Sequence, residues 1–193
     1  YSKILLYQQL LDSDIPEDGY LSGELVRYFP VPFQERFGSL MQEHRLKREI
    51  VATQVTNDLI NRMGATFVLR MCEDTGASPA EVAKAYTIAR EVFGATSFWS
   101  RIEALDNKVE SSLQISAMLS MWRLLRQATR WLLNLEGRKL EIQHMVDRLA
   151  PGLAVLEKSI TDTMTEDEIE SMKRSAQPYL DGGFPRKLAR QTV

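Results

Sequence analysis

The sequence predicts an all-α fold, a multi-helix bundle around a central hydrophobic helix, and three observations predict it. Apolar residues recur by threes and fours along most of the chain, and capping residues mark where helices start and stop. No window alternates apolar and polar residues between turn signals as a half-buried strand would. The 193 residues are 44% hydrophobic and 26% charged, the balance of a domain that buries its own core, which sets aside disordered, fibrous and membrane-spanning classes. Lys and Arg number 24 against 26 Asp and Glu, so a net charge of -2 gives no pull towards nucleic acid or anionic lipid.

The first helix is expected from Ser2 to Leu11, ahead of a break at Asp14 to Gly19. A short helix from Leu21 to Phe29 is closed by Pro30 and Pro32, because proline removes a donor and restricts the residue before it. A long helical pattern then runs from Phe33 to Thr75, with a kink expected at Gly38 or Gly64 and Gly76 as the left-handed cap. The clearest start follows: Ser78 as N-cap, Pro79 at the first helical position and Glu81 completing a capping box. That helix stops at Gly94. A shorter one from Ser97 to Leu105 leaves through Asn107, which tolerates a left-handed backbone.

The expected centre is the helix from Glu110 to Leu135. One apolar stripe holds Leu113, Ala117, Met121, Leu124, Ala128, Trp131 and Leu135, and an adjoining one holds Ile115, Met118, Trp122, Leu125 and Leu132. Two stripes predict burial on more than one side. Beyond Gly137, helices are expected at Leu140 to Leu149 and Leu153 to Met164, interrupted by Pro151-Gly152. Thr165 with Glu168 forms a second capping box, opening a helix that should end near Ala176 before Pro178. The domain reading is a main helical bundle at 1–137 and a helical extension at 138–193.

The search for chemistry is mostly negative. Ten glycines never form the spaced turn that cradles a dinucleotide or nucleoside triphosphate, and His44 and His144 stand a hundred residues apart with no second ligand at metal spacing. Cys72 is the single cysteine, which excludes an intrachain disulfide and reads as a small buried hydrophobe before a catalytic thiolate. No catalytic, cofactor-binding or metal-binding residue is therefore expected. Two polar groups stand out instead. On the long helix, Leu46, Ile50, Thr53, Asn57, Ile60, Gly64, Phe67 and Met71 form a stripe with Asn57 at its middle, and Asn57, Asp58, Asn61 and Arg62 make a compact polar patch suited to packing or docking. Arg123, Arg126 and Arg130 recur at helical spacing and could receive an acidic partner, although such a row is more often a solvated face. The Glu166-Asp167-Glu168 triplet imitates a metal cluster, but acids in a first helical turn are explained by the helix dipole.

Longer strings of residues carry a resemblance. Gly23-Glu24-Leu25-Val26-Arg27-Tyr28-Phe29-Pro30, His44-Arg45-Leu46-Lys47-Arg48-Glu49-Ile50-Val51-Ala52-Thr53 and Asn57-Asp58-Leu59-Ile60-Asn61-Arg62-Met63-Gly64 are similar to the C-terminal part of the large bacterial NAD-specific glutamate dehydrogenases. The similarity continues through Ala89-Arg90-Glu91-Val92-Phe93-Gly94, Ile102-Glu103-Ala104-Leu105-Asp106-Asn107-Lys108 and Ala128-Thr129-Arg130-Trp131-Leu132-Leu133, and weakens from Gly137 onward.

The resemblance implies a longer parent that oxidatively deaminates L-glutamate with NAD, its catalytic lysine and dinucleotide fold lying upstream. None of those motifs can be placed here, so no catalytic residue carries over and the chain alone is expected to be inactive and free of cofactor. The implied partners are the upstream catalytic domain and further copies of the parent in a homo-oligomer. The chain starts at Tyr1 without an initiator Met and stops at Val193 inside a helical pattern, so both ends are expected to continue in the parent. With no signal peptide and no apolar run long enough to span a bilayer, the expected location is the cytoplasm. The alternative is a free-standing helical protein–protein interaction module that uses the Asn57 to Arg62 patch or the arginine row.

Overall fold

The computed structural model describes residues 3–28, 30–137 and 139–193, and among these it holds eleven α-helices, two short 3-10 turns and no strand. The all-α expectation is met. Helix α1 is Lys3–Leu11, and the break after it forms a 3-10 turn at Ile15–Glu17. Helix α2, Gly19–Gly23, is capped by the Asp18 carboxylate, which accepts the N–H groups of Tyr20 and Leu21 at 3.0 and 3.1 Å. A second 3-10 turn, Glu24–Tyr28, follows where a short helix to Phe29 was expected. Ser2 and Phe29, the expected ends of the first two helices, lie outside the described residues.

The long helical pattern is divided into α3 (Val31–Gln42), α4 (Lys47–Met63) and α5 (Phe67–Thr75). Gly38 makes no break: it sits inside α3, with room for ordinary contact against Val26. The first break falls at 43–46, where His44 N–H donates to Met41 O and Lys47 N–H to His44 O. The second is at Gly64, whose φ of +92° L side chains rarely adopt. Gly76 caps α5 as expected, at φ +68° with its N–H on Cys72 O.

Helix α6, Pro79–Val92, begins with the capping box the sequence announces: Glu81 N–H donates to Ser78 Oγ at 3.3 Å, and Ser78 N–H donates to Glu81 Oε2 at 2.8 Å. Next come α7 (Ala95–Glu103) and α8 (Ser111–Leu133), with Asn107 left-handed between them at φ +59°. The last three helices are α9 (Ile142–Thr163), α10 (Glu166–Asp181) and α11 (Arg186–Thr192). Two expected stops fail, because α9 runs through Pro151 and α10 through Pro178. A proline deletes one ladder bond, and in α9 the apolar row Ile142, Val146, Leu149, Leu153, Leu156 and Ile160 continues unbroken across it. At the head of α10 the Thr165 and Glu168 capping box is complete.

The chain groups into two compact units, Tyr1–Thr87 with Thr129–Gln143, and Ile88–Ala128 with His144–Val193. In the first, α4 is the organising helix: α1, α2, α5 and the 3-10 turn at Ile15–Glu17 all pack on it. Leu6, Leu10, Ile15, Val51, Ala52 and Leu59 form its dry interior, and Phe67 meets Tyr86 edge to face with ring centres 6.2 Å apart. Arg48 ties α4 to the N-terminal elements through Glu17 and the carbonyl of Leu11. In the second, Phe98, Trp99 and Ile102 of α7 are buried, as are Ala117, Met121 and Leu125 of α8 and Leu188 and Ala189 of α11. Helix α11 packs on α10, where Tyr179 stacks edge to face on Phe184 and shares a 2.9 Å hydrogen bond with Ser116 of α8.

Burial is not distributed as the apolar stripes suggest. Helix α8 buries one face, through Ala117, Met121, Leu125, Thr129, Leu132 and Leu133, but Ile115 is 57% exposed and Trp131 56%. The all-round burial expected of a central helix belongs to α6 instead, where Val82, Ala83, Ala85, Tyr86, Thr87, Ile88 and Ala89 are each 1% exposed or less. Enlarging a side chain in α6 should therefore hurt more than truncating the largest one on α8. Ala85→Leu is expected to cost about 1–3 kcal/mol by overpacking. Trp131→Ala should fall well below the ~3–5 kcal/mol typical of a buried tryptophan. Urea denaturation of the two variants checks the order.

Candidate functional site

The second unit holds a cleft of about 950 Å³ lined by residues of α7 to α11 and by Phe93 and Gly94. Its formation follows from how each helix spends its apolar face. Helix α11 buries Leu188, Ala189 and Thr192, so Arg186, Lys187 and Arg190 lie on its other side and line the cleft. Helix α7 buries Phe98, Trp99 and Ile102, which leaves Arg101 at the margin. Its guanidinium donates from Nη2 to Gln191 Oε1, while its Nε is buried with no hydrogen-bond partner. Phe98, Met121 and Leu124 supply apolar surface from α7 and α8, and Met164 and Met172 add more from the segment around α10.

The electrostatics are one-sided. Four cations line the cleft against one carboxylate, that of Glu157, and among the described residues none of the four lies within ion-pair distance of an acid. With that excess of positive charge the arrangement is suited to holding negative charge. Nothing in the spacing of the sequence brings Arg101 to residues 186–190, and the cleft was not foreseen.

The two polar groups singled out from the sequence are placed differently. The buried face of α4 is Val51, Ala52, Val55, Thr56, Leu59 and Met63, one residue round from the expected stripe, so Asn57 borders the core and Thr53 is exposed. The expected stripe carries polar residues at Thr53 and Asn57, and the neighbouring face is the more continuously apolar. Asn57 is half-buried with its Oδ1 shut from solvent and unpaired, Asn61 is exposed, and Asp58 and Arg62 are each already engaged. In the arginine row, Arg123 is exposed, Arg126 lies 5.7 Å over the Trp122 ring, and Arg130 is bound to Asp74 of α5. The three do not act as one receptor.

The remaining candidates resolve simply. His44 is exposed in the turn before α4 and accepts the Leu46 N–H at its Nδ1. Hydrogen bonds from Thr165 hold the Glu168 carboxylate below its usual range, the signature of a helix cap. Burial pushes the Cys72 thiol above its ordinary value, with smaller contributions from Glu81 and Glu73. Among the described residues, no three His, Cys, Asp or Glu side chains converge as metal ligands, and no helix is long and apolar enough to cross a membrane.

Comparison with known proteins adds what geometry does not. The family described as glutamate dehydrogenase, C-terminal, matches residues 1–193. The NAD-specific glutamate dehydrogenase of Halomonas elongata is 43% identical over 189 residues, 98% of this chain and 12% of that protein. That of Pseudomonas aeruginosa is 42% identical over 193 residues, all of this chain and 12% of its own length. That of Mycobacterium tuberculosis is 30% identical over 187 residues, 97% of this chain and 11% of its length. The chain thus spans about one-eighth of the relatives it matches.

Two outcomes follow from the placement of single groups. Because the Asn57 Oδ1 is buried and unpaired, Asn57→Leu removes a cost that is typically about 1–3 kcal/mol and should leave the melting temperature unchanged or raise it. A calorimetric scan of the variant beside the parent chain reads this directly. Cys72 stays a neutral thiol at neutral pH, so its alkylation by iodoacetamide should be slower than that of a free thiol. The rate should keep climbing above the ordinary thiol range, where burial delays ionisation, and a pH series of labelling by mass spectrometry checks it.

Proposed function

The chain belongs to the glutamate dehydrogenase C-terminal family, and from that premise we propose that it is the non-catalytic, structural or regulatory C-terminal domain of a larger NAD-specific glutamate dehydrogenase. The parent would convert L-glutamate, NAD⁺ and water to 2-oxoglutarate, ammonium and NADH. The observation that carries this reading is the combination of a family match across 1–193 with a span of only 12% of two relatives. The helical build of the described residues supports it, because the dinucleotide fold is made on parallel strands. In this reading the hydride transfer, the glutamate pocket and the NAD site lie upstream. The parent would work in the cytoplasm as a homo-oligomer.

The domain's part is mechanical. The solvent-facing apolar residues Ile115 and Leu119 of α8 suit contact with the remainder of the polypeptide, and a domain packed there restricts how far the catalytic part opens. In the same reading the polar patch Asn57, Asp58, Asn61 and Arg62 serves packing or docking.

The test pairs the chain with the longer enzyme. This chain alone, mixed with NAD and glutamate, should produce no NADH and give no saturable heat of NAD binding. The enzyme lacking this region should keep a measurable single-turnover hydride transfer while losing thermal stability or its ordinary substrate response. NADH formation by the isolated chain would overturn the proposal, and so would full stability and steady-state kinetics in the shortened enzyme.

A further inference from the structure

We propose that the cleft of the second unit is a binding site for a small organic anion with two or more negative charges on an apolar or aromatic body. The inference stands on the geometry of this chain and is independent of the parent's activity.

The charge argument comes first. Arg101, Arg186, Lys187 and Arg190 come from two helices far apart in sequence and line one cleft, opposed by Glu157. Arg186, Lys187 and Arg190 are exposed and Arg101 is half-buried, so the four like charges along one cleft repel one another, and the chain carries 26 acids from which partners could have been drawn. Among the described residues none lies in ion-pair reach of the four. An arriving anion relieves that repulsion. Guanidinium groups suit it best, since their planar donors bind carboxylate and phosphate in pairs.

The second argument is the pre-set geometry of Arg101. Gln191 holds its Nη2, which fixes the guanidinium, and the buried Nε has no acceptor of its own in the protein. The guanidinium is thus held in place at the margin of the cleft before a ligand arrives. Volume and floor then say what else the ligand has. About 950 Å³ lies within the range of small-molecule sites, and Phe98, Met121 and Leu124 give it an apolar wall that a bare inorganic ion would leave unused. Phosphate and carboxylate groups share this chemistry.

Titration calorimetry on the 193-residue chain separates the possibilities with three probes. ADP offers phosphates on an aromatic body, trimesate offers carboxylates on one, and inorganic pyrophosphate offers charge alone. At least one of the aromatic anions should bind saturably, about tenfold or more tighter than pyrophosphate, and weaken as salt is raised. The double variant Lys187→Glu with Arg190→Glu changes two exposed residues and leaves the buried side of α11 intact, so it should fold. It should lose binding by about tenfold or more. Arg174→Glu, an exposed residue outside the cleft lining, should bind as the parent chain does. Failure of both aromatic anions to saturate at millimolar concentration would overturn the proposal. So would binding untouched by the charge-reversed pair, lost equally in Arg174→Glu, or no tighter for the aromatic anions than for pyrophosphate.

Discussion

The burial of α6 is the constraint on which the rest of the structure depends. A helix can be enclosed on every side only if its residues are small enough for neighbours to approach, and Ala83, Ala85 and Ala89 meet that condition while Val82, Tyr86 and Ile88 fill the gaps between them. Within that run the Thr87 hydroxyl is answered inside the helix itself, because Thr87 Oγ1 donates to Ala83 O at 2.9 Å. Both ends are pinned. Gly76 turns the chain left-handed before the capping box of Ser78 and Glu81, and Gly94 turns it left-handed again beyond Val92. Start, length and register of α6 are thus set by local devices.

What was legible in the sequence was whatever rests on local chemistry. Capping boxes, left-handed glycines and Asn107 act within a few residues, so Ser78, Thr165, Gly64, Gly76 and Gly94 could be placed from the residue order. The failures share a different cause. Pro151 and Pro178 look like stops because the local rule is strict, yet a proline removes one ladder bond and both helices continue past it. The sequence points to α8 as the centre because large side chains dominate a hydropathy reading. The leucines and tryptophans of α8 outshine the alanines of α6, although burial follows fit more than size.

The site was illegible for a topological reason. Arg123, Arg126 and Arg130 announce themselves by period, and the structure then disperses them, one onto the Trp122 ring and one onto Asp74. Arg101 and the three cations of α11 have no shared period and are brought together only by the packing of α7, α10 and α11. A helical wheel reports which residues share a face of one helix. It is silent about which faces share a cavity. The polar patch on α4 shows the same limit at smaller scale, since two overlapping stripes one residue apart gave different neighbours to Asn57.

The three tryptophans occupy three distinct surroundings, which gives the chain a built-in optical readout. Trp99 is buried in the second unit, Trp122 has the Arg126 guanidinium over its ring, and Trp131 in the first unit is more than half exposed. A sheltered indole emits to the blue, whereas a hydrated one emits to the red and meets dissolved quenchers. The native spectrum is therefore a composite, and its two edges belong to different units. Following the blue edge and the quenchable red component separately during unfolding distinguishes loss of the second unit from loss of the first without any added label.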